Sequence, residues 1–556
     1  MNAITALRSI VKDPAQLKQE LAIWMQNCRW AGLSGAQYSR DYVLDIELCK
    51  VFSLGTPPKP FLLLGIIVTM EKIPDARYFC LIFTITKQKT TSNDLFTIPP
   101  SMIFTPSIIK KQWVLQFATL DPIFIRTLLR LTRQTSIFQT TNFSLDYEPT
   151  NASSSSDYFI QEFTILGGGD TTNSIIDVKL QTPNGPQRHV FKYFLRLQQH
   201  NMEAEMMVYL HSVGFAASPP LEGILTLKWE GRGVFTVVLV SKFVENDGDG
   251  GKPFWNHLQE YLQITQTQKF VKSIYYKIGP LARSIGQTTR EFHDALIQTR
   301  TGKFQPFTID SNDIAKWTQE LKEKFANAMQ LWNERYNFVA PNLVPELLQK
   351  VSYELSRLYT HLGWDFLLSK DLLTYKQPIH GDLHLAQFLY QPGPPPRFII
   401  TDLEGDPQLP QEKREESRPT WFDLGSLLRA LDYIAYFGTW ELLKQQIQEH
   451  LWTKEDIFTL FLARLLSLPL PSPLEQYRWV GEATVAHALE WVEFVGTQIL
   501  RGYGLAIHFW DVLPLTFRFM RATSELNYEL IYRGQNALVP LLGVITLGNQ
   551  LLQFKK

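Results

Sequence analysis

Apolar residues Ile4, Leu7, Ile10 and Val11 recur at the spacing of one helical face, and the periodicity runs on to about residue 28. Beyond it, runs rich in β-branched and aromatic side chains at 42–48, 61–70 and 78–86 read as strands. Asp121-Pro122 predicts the start of a helix near 121–132, with Asp as N-cap and Pro in the first turn, where its missing N–H costs nothing. The stretch 150–157 is small and polar, Thr-Asn-Ala-Ser-Ser-Ser-Ser-Asp, and reads as a linker. From 158 to 244 short β-rich runs alternate with turns around a single helix at 203–213, and a second loose stretch follows at 245–253. The rest is mostly helical, with amphipathic runs at 315–333 and 344–358, broken by the turn Pro392-Gly393-Pro394-Pro395-Pro396. The pattern predicts an α+β protein whose strands are concentrated ahead of its long helices.

Length changes this picture, because 556 residues exceed what one core sustains, about 250–300, and so predict two to four packed units. Charge narrows the partners: 54 basic residues balance 54 acidic ones, leaving no global field for nucleic acid or an anionic membrane surface. Cys28, Cys49 and Cys80 lack CxxC spacing, which argues against a disulfide frame or thiolate zinc site and makes the cytoplasm the expected location. The start carries Arg8, Lys12 and Asp13 and does not read as a signal peptide. The apolar run at 61–68 falls short of the roughly 18–20 residues that span a bilayer, so no membrane segment is expected.

The strongest chemical signal is His380-Gly381-Asp382-Leu383-His384-Leu385-Ala386-Gln387, followed by two short apolar runs around the Pro-rich turn and then Asp402-Leu403-Glu404-Gly405-Asp406. The two runs predict a hairpin, which returns the chain to its starting end and brings Asp382 and Asp402 to one mouth. Phosphoryl transfer from ATP needs a carboxylate to take a hydroxyl proton and oxygen ligands for Mg²⁺. Asp382 fits the first role, and Gln387 and Asp402 the second, with Glu404 available to the metal or to sugar hydroxyls. Upstream, Lys192 in a strand facing Glu205 on the next helix has the pattern of a lysine gripping the α/β-phosphates. The loop at 167–174, with Gly168 and Thr172, is small enough to bring backbone N–H groups near phosphates, and Val244 closes this segment beside the nucleotide.

Other readings attach to the same residues. His380, Asp382 and His384 alternate along an extended strand as three metal ligands would in a hydrolase, and the fold with its activity lost would be a non-catalytic binding protein. Lys192 alone is a common snorkelling lysine. His380 reads as a hydrogen-bonding brace rather than a catalyst. Asp423 reads as the N-cap of a helix at 424–436, its carboxylate also facing the catalytic loop. Arg418, Arg429 and Asp432 are either a surface salt-bridge set or sugar contacts.

Together with Phe292-His293-Asp294, Trp421-Phe422-Asp423-Leu424-Gly425, Cys28-Arg29-Trp30-Ala31-Gly32 and Arg521-Ala522…Glu525…Tyr528-Glu529…Arg533, this ordered set resembles the maltokinases of the aminoglycoside-phosphotransferase-like kinase superfamily. The resemblance implies an N-terminal cap (1–150), a small sheet-rich nucleotide lobe with its hinge (151–247) and a large helical lobe (248–556), arranged as in protein kinases. It implies ATP and Mg²⁺ as cofactors and transfer of the γ-phosphate to the anomeric hydroxyl of maltose, giving maltose 1-phosphate and ADP. Functional coupling to trehalose synthase and a maltosyltransferase in α-glucan synthesis would follow. His384, Glu404, Arg418, Arg429, Asp432 and Tyr433 are then assigned to the acceptor. Where the family has Arg-Pro-x-Trp, this chain has Arg533-Gly534-Gln535-Asn536, which leaves glucosamine, another hexose or an aminoglycoside as alternative acceptors.

Overall fold

The computed structural model of the protein describes residues 2–33, 41–71, 73–87, 99–109, 113–131, 133–150, 159–166, 173–183, 185–267, 273–368, 373–406, 408–447, 450–472 and 474–554. The chain divides into two compact units, Met1–His211 with Pro219–Val244, and Ser212–Ser218 with Glu245–Lys556.

In the first unit the periodic N-terminal segment forms two helices, Ala3–Lys12 and Pro14–Gln26, begun by the side chains of Asn2 and Asp13. Their apolar faces pack on an antiparallel sheet in the order Tyr42–Leu54, Lys59–Met70, Ile73–Lys87, Trp113–Phe117, Ile103–Phe104. The helix predicted after Asp121 is Pro122–Arg130, and the Asp121 carboxylate accepts from the Ile123 and Phe124 N–H groups.

A second sheet has seven strands. Its central ladder pairs Gly185–Tyr193, the strand that carries Lys192, with Ser174–Thr182 on one side and Gly233–Lys242 on the other. Tyr193 is buried next to Lys192, donates its hydroxyl to the Cys80 carbonyl (2.6 Å) and accepts from the Ile82 N–H (2.8 Å), which ties this strand to the first sheet. Strands Thr135–Gln139 and Phe143–Pro149 lie ahead of the polar stretch at 150, yet Phe143–Pro149 pairs with Leu221–Trp229 in this same sheet. Position 150 therefore marks no break in packing: the ladder groups of Phe143–Pro149 are satisfied by a strand some seventy residues downstream.

The second unit is helical. Trp421–Gln446 runs against Val512–Tyr532, and a Cβ added at Gly425 would stand 2.7 Å from the Phe517 backbone, so only glycine permits that approach. Around them pack Ser311–Val339, Pro345–His361, Arg478–Gly502 and Leu538–Phe554, with Ser273–Leu296 against Arg478–Gly502. The predicted hairpin is Phe388–Gln391 with Arg397–Ile400, in register Phe388 to Ile400. Among the described residues no helix is long and apolar enough to cross a membrane.

Candidate active site

The loop that opens at His380 is held from below by Asp423. Asp423 is the third residue of Trp421–Gln446, whose N-cap position is Thr420, so the expectation that Asp423 caps this helix is corrected. Its fully buried carboxylate instead accepts from the backbone N–H groups of His380 and Gly381, both at 2.8 Å, and from His293 Nε2 at 3.0 Å. His293 in turn reaches the Tyr503 hydroxyl at 2.9 Å. Gly381 takes φ 83°, a left-handed conformation that lets the chain pass close to Gly405.

The buried His380 ring joins the loop to the hairpin. Its Nδ1 accepts from the Asp382 N–H (3.3 Å), which leaves Nε2 to donate to the Thr401 carbonyl (2.9 Å). Thr401 N–H donates to the Gln387 carbonyl at 2.8 Å, so Gln387 and the residue before Asp402 are bound to each other. Asp402 itself has φ 61°, an uncommon conformation for a non-glycine residue and one that clusters at functional sites. The hairpin thus brings the ends of the predicted constellation together through His380 and Thr401. Glu404 follows, half-buried, in the turn after the second strand.

Asp382 lies in the wall of a cavity of about 410 Å³, along with His384 and Tyr433. Further wall residues come from one face of Val512–Tyr532, where Arg521, Glu525 and Glu529 stand four residues apart with Tyr528 beside them, and from Arg533, the C-cap just past the helix end. The sequence pattern marks these residues as a closing helix and gives them no role in the site; the fourfold spacing of their charges is the signal that places them. Arg521 Nη2 pairs with Asp382 Oδ1 at 2.8 Å, and its Nε donates to Glu525 at 3.0 Å. These carboxylates hold the buried Arg521 guanidinium far above its ordinary range, against the opposing effect of burial. His384 is pushed down to about 4, first by burial and then by Arg521, so it is neutral at pH 7. Burial also raises the Glu529 carboxyl, and its Oε2 makes no hydrogen bond, with Arg533 Nε 3.7 Å away.

Three of the sequence-assigned sugar contacts lie elsewhere. Arg429 is 1% exposed, and each of its nitrogens is bound within the protein: Nε to Glu525 (3.1 Å), Nη1 to Asp432 (2.9 Å) and Nη2 to the Val539 carbonyl (2.9 Å). Asp432 is further held by Arg518 at 3.0 Å. The pair is a buried ion network that packs Trp421–Gln446 on Val512–Tyr532, neither a surface set nor a contact with this cavity. Arg418 is also buried, bound to Glu320 and Glu416, and faces a different cavity.

In the sheet-rich unit, Lys192 Nζ pairs with Glu203 at 2.6 Å, where the sequence pointed to Glu205. The helix is Met202–Ser212, and residues two apart stand about 200° around a helix, so only one of the two carboxylates can face the strand. Glu203 is buried, whereas Glu205 is turned outward beside His200 at 3.4 Å. Val244 ends this unit. Gly168 and Thr172 lie outside the described residues.

No protein-family model matches the chain. A glucosamine kinase of Streptacidiphilus jiangxiensis is 25% identical over 232 residues, 42% of this chain and 46% of that protein. A glucosamine kinase of Mycolicibacterium smegmatis is 38% identical over 56 residues, 10% of this chain and 13% of that protein. The chain thus spans less than half the length of the curated relatives it matches. Among solved structures, a glucosamine kinase in complex with glucosamine, ADP and inorganic phosphate superposes with a TM-score of 0.50 at 15% identity, covering 92% of this chain and 94% of that one. The shared fold is a sheet-rich region followed by a helical one.

Proposed function

We propose that the protein is an ATP-dependent kinase of an amino sugar, with glucosamine as the acceptor that suits the site. The observation that carries this reading is the charge of the 410 Å³ cavity: Asp249, Asp382, Glu525 and Glu529 face two guanidiniums, Arg521 and Arg533, and the neutral His384 cancels none of them. Such a wall attracts a small cation, and a volume within the usual range for small-molecule sites accommodates a monosaccharide. A neutral disaccharide such as maltose gains nothing from the excess of carboxylate.

In this reading Asp382 takes the proton of the acceptor hydroxyl through the carboxylate oxygen that Arg521 leaves open. The hydroxyl oxygen bonds to the γ-phosphorus of ATP as the bond to the ADP oxygen breaks. Arg521 fixes the carboxylate's orientation, and Asp423 and His380 fix the loop. Lys192, positioned by Glu203, holds the α/β-phosphates. Gln387, just before the first hairpin strand, and Asp402, just after the second, offer an amide and a carboxylate oxygen, the hard donors Mg²⁺ prefers, and would hold it; the ion when bound would neutralise charge on the triphosphate.

Measuring ADP release with glucosamine, glucose and maltose tests the proposal, with phosphorus NMR to locate the new ester. The expected result is a kcat/KM for glucosamine at least about tenfold above that for either neutral sugar, since a neutral sugar leaves the buried Glu529 carboxyl oxygen without a hydrogen bond. Highest kcat/KM for maltose, with phosphate on the anomeric oxygen, would restore the maltokinase reading.

A further inference from the structure

A second cavity, of about 180 Å³, lies on the other side of the catalytic loop, and Arg521 and Ser426 line both it and the acceptor cavity. Gly381 and Asp406 form part of its wall, so it touches the reacting loop without containing Asp382. Its charges are mixed, but the acidic groups are already met. Glu320 is bound by Arg418 (3.2 Å) and Lys413 (3.3 Å), and Glu416 by Arg418 (3.3 Å) and Lys316 (2.7 Å). Asp406 accepts from the Gln408 N–H at 2.9 Å, and Glu323 from Gln319 at 2.7 Å.

The basic groups keep donors in reserve. Arg418 is 8% exposed, its plane lies over the Phe422 ring, and its Nε is buried without a hydrogen-bond partner. Lys324 Nζ has three N–H bonds and gives one to the Ser524 hydroxyl at 3.1 Å. Burial holds its ammonium below the ordinary lysine value, with Asp406 partly opposing. A buried donor without an acceptor is costly, and Arg418 Nε, with the Lys324 ammonium on the same cavity wall, calls for a ligand rich in acceptor oxygens. Arg521 supplies a third cation at the wall shared with the acceptor site.

We propose that this cavity binds a phosphate group, as free phosphate or as the phosphomonoester of a small sugar, against Lys324 and Arg418. A dianion there competes with Asp382 for Arg521. Occupancy then loosens the ion pair that orients the base, and the site lowers kcat without blocking acceptor binding. The source of the phosphate is chemically open to both forms, since either presents the same three oxygens.

The test is calorimetry on the full-length protein with inorganic phosphate and with glucosamine 6-phosphate as probes, in parallel with inhibition kinetics. Binding is read without turnover, so the result stands whichever sugar is the acceptor. Lys324→Met is expected to weaken binding of the preferred probe about tenfold or more, the usual cost of a lost charge-assisted hydrogen bond, while leaving uninhibited kcat within about twofold. Arg418→Lys keeps the charge and the Glu320 contact but removes the planar Nε donor, and is expected to weaken the same probe. Glu529→Gln, in the other cavity, is expected to leave it unchanged. Tighter binding of phosphate assigns the site to the free ion, and tighter binding of the ester to a phosphorylated product. Binding that Glu529→Gln abolishes and Lys324→Met leaves intact, or inhibition purely competitive with the acceptor, would overturn the proposal.

Discussion

The loop at 380–387 and the helix Val512–Tyr532 face the same cavity but hold their side chains by different means. The loop depends on partners far away in sequence: Asp423 on its backbone, the His380 ring on Thr401, the Thr401 N–H on Gln387. His380, Gly381 and Gln387 are each fixed by a bond that another element supplies. The helix spaces its charges by its own geometry, with Arg521, Glu525 and Glu529 one turn apart and Arg521 donating to Glu525 within the stripe. A loop built this way fails as a unit when one brace is removed, whereas a helix stripe tolerates loss of one member and changes only the local field.

Asp382→Asn sharpens the comparison most strongly. The amide is isosteric and keeps the loop in place but cannot take the proton, so kcat is expected to fall by about 10²–10⁴ with ATP affinity preserved. An unchanged kcat would remove Asp382 from the chemistry.

Asp423→Ala tests the loop as a unit. It orphans two backbone N–H groups and the buried His293, so a loss of about 3–5 kcal/mol in unfolding free energy is expected, together with loss of activity. Denaturant titration measures it, and a loss under 1 kcal/mol would show that the loop is held by something other than this carboxylate.

The same contrast explains what was legible in the sequence. Asp382, Gln387 and Asp402 stand out because a loop motif packs unusual residues into a few positions, and the hairpin between them is dictated by a Pro-rich turn. The helix stripe was legible only as a motif, because charges every four residues are what any solvated helix carries. Arg429 and Asp432 were misplaced because sequence nearness to the catalytic loop does not say which side of Trp421–Gln446 a residue occupies. The helix at Glu203 was found, but its first residue fixes which carboxylate turns inward, and helix starts are the least certain feature of a periodic pattern.

That last point yields a direct discrimination. Glu203→Gln is expected to raise the KM for ATP about tenfold, since Lys192 loses its buried partner, whereas Glu205→Gln, at a half-buried position beside His200, stays within about twofold. Equal effects from both would mean that the ion pair does not position the lysine.

The smallest effect expected is a pH dependence carried by Glu529 on the helix stripe. Burial raises its carboxyl above the ordinary 4.5, with Arg533 only partly opposing. The native state therefore keeps a proton that the unfolded chain has already released, and stability falls as pH rises from 4.5 through the raised native value, at a slope of at most about 1.4 kcal/mol per pH unit. A bound ammonium favours the ionised carboxylate, so glucosamine binding releases part of that proton, and its affinity strengthens with pH across the same window while that of glucose stays flat. Calorimetry in two buffers of different ionisation enthalpy counts the proton. Glu529→Gln should abolish the release, flatten the slope and weaken glucosamine about tenfold with little change for glucose. If Glu529→Gln leaves glucosamine affinity unchanged, the charge that selects the acceptor belongs to a different part of the cavity wall.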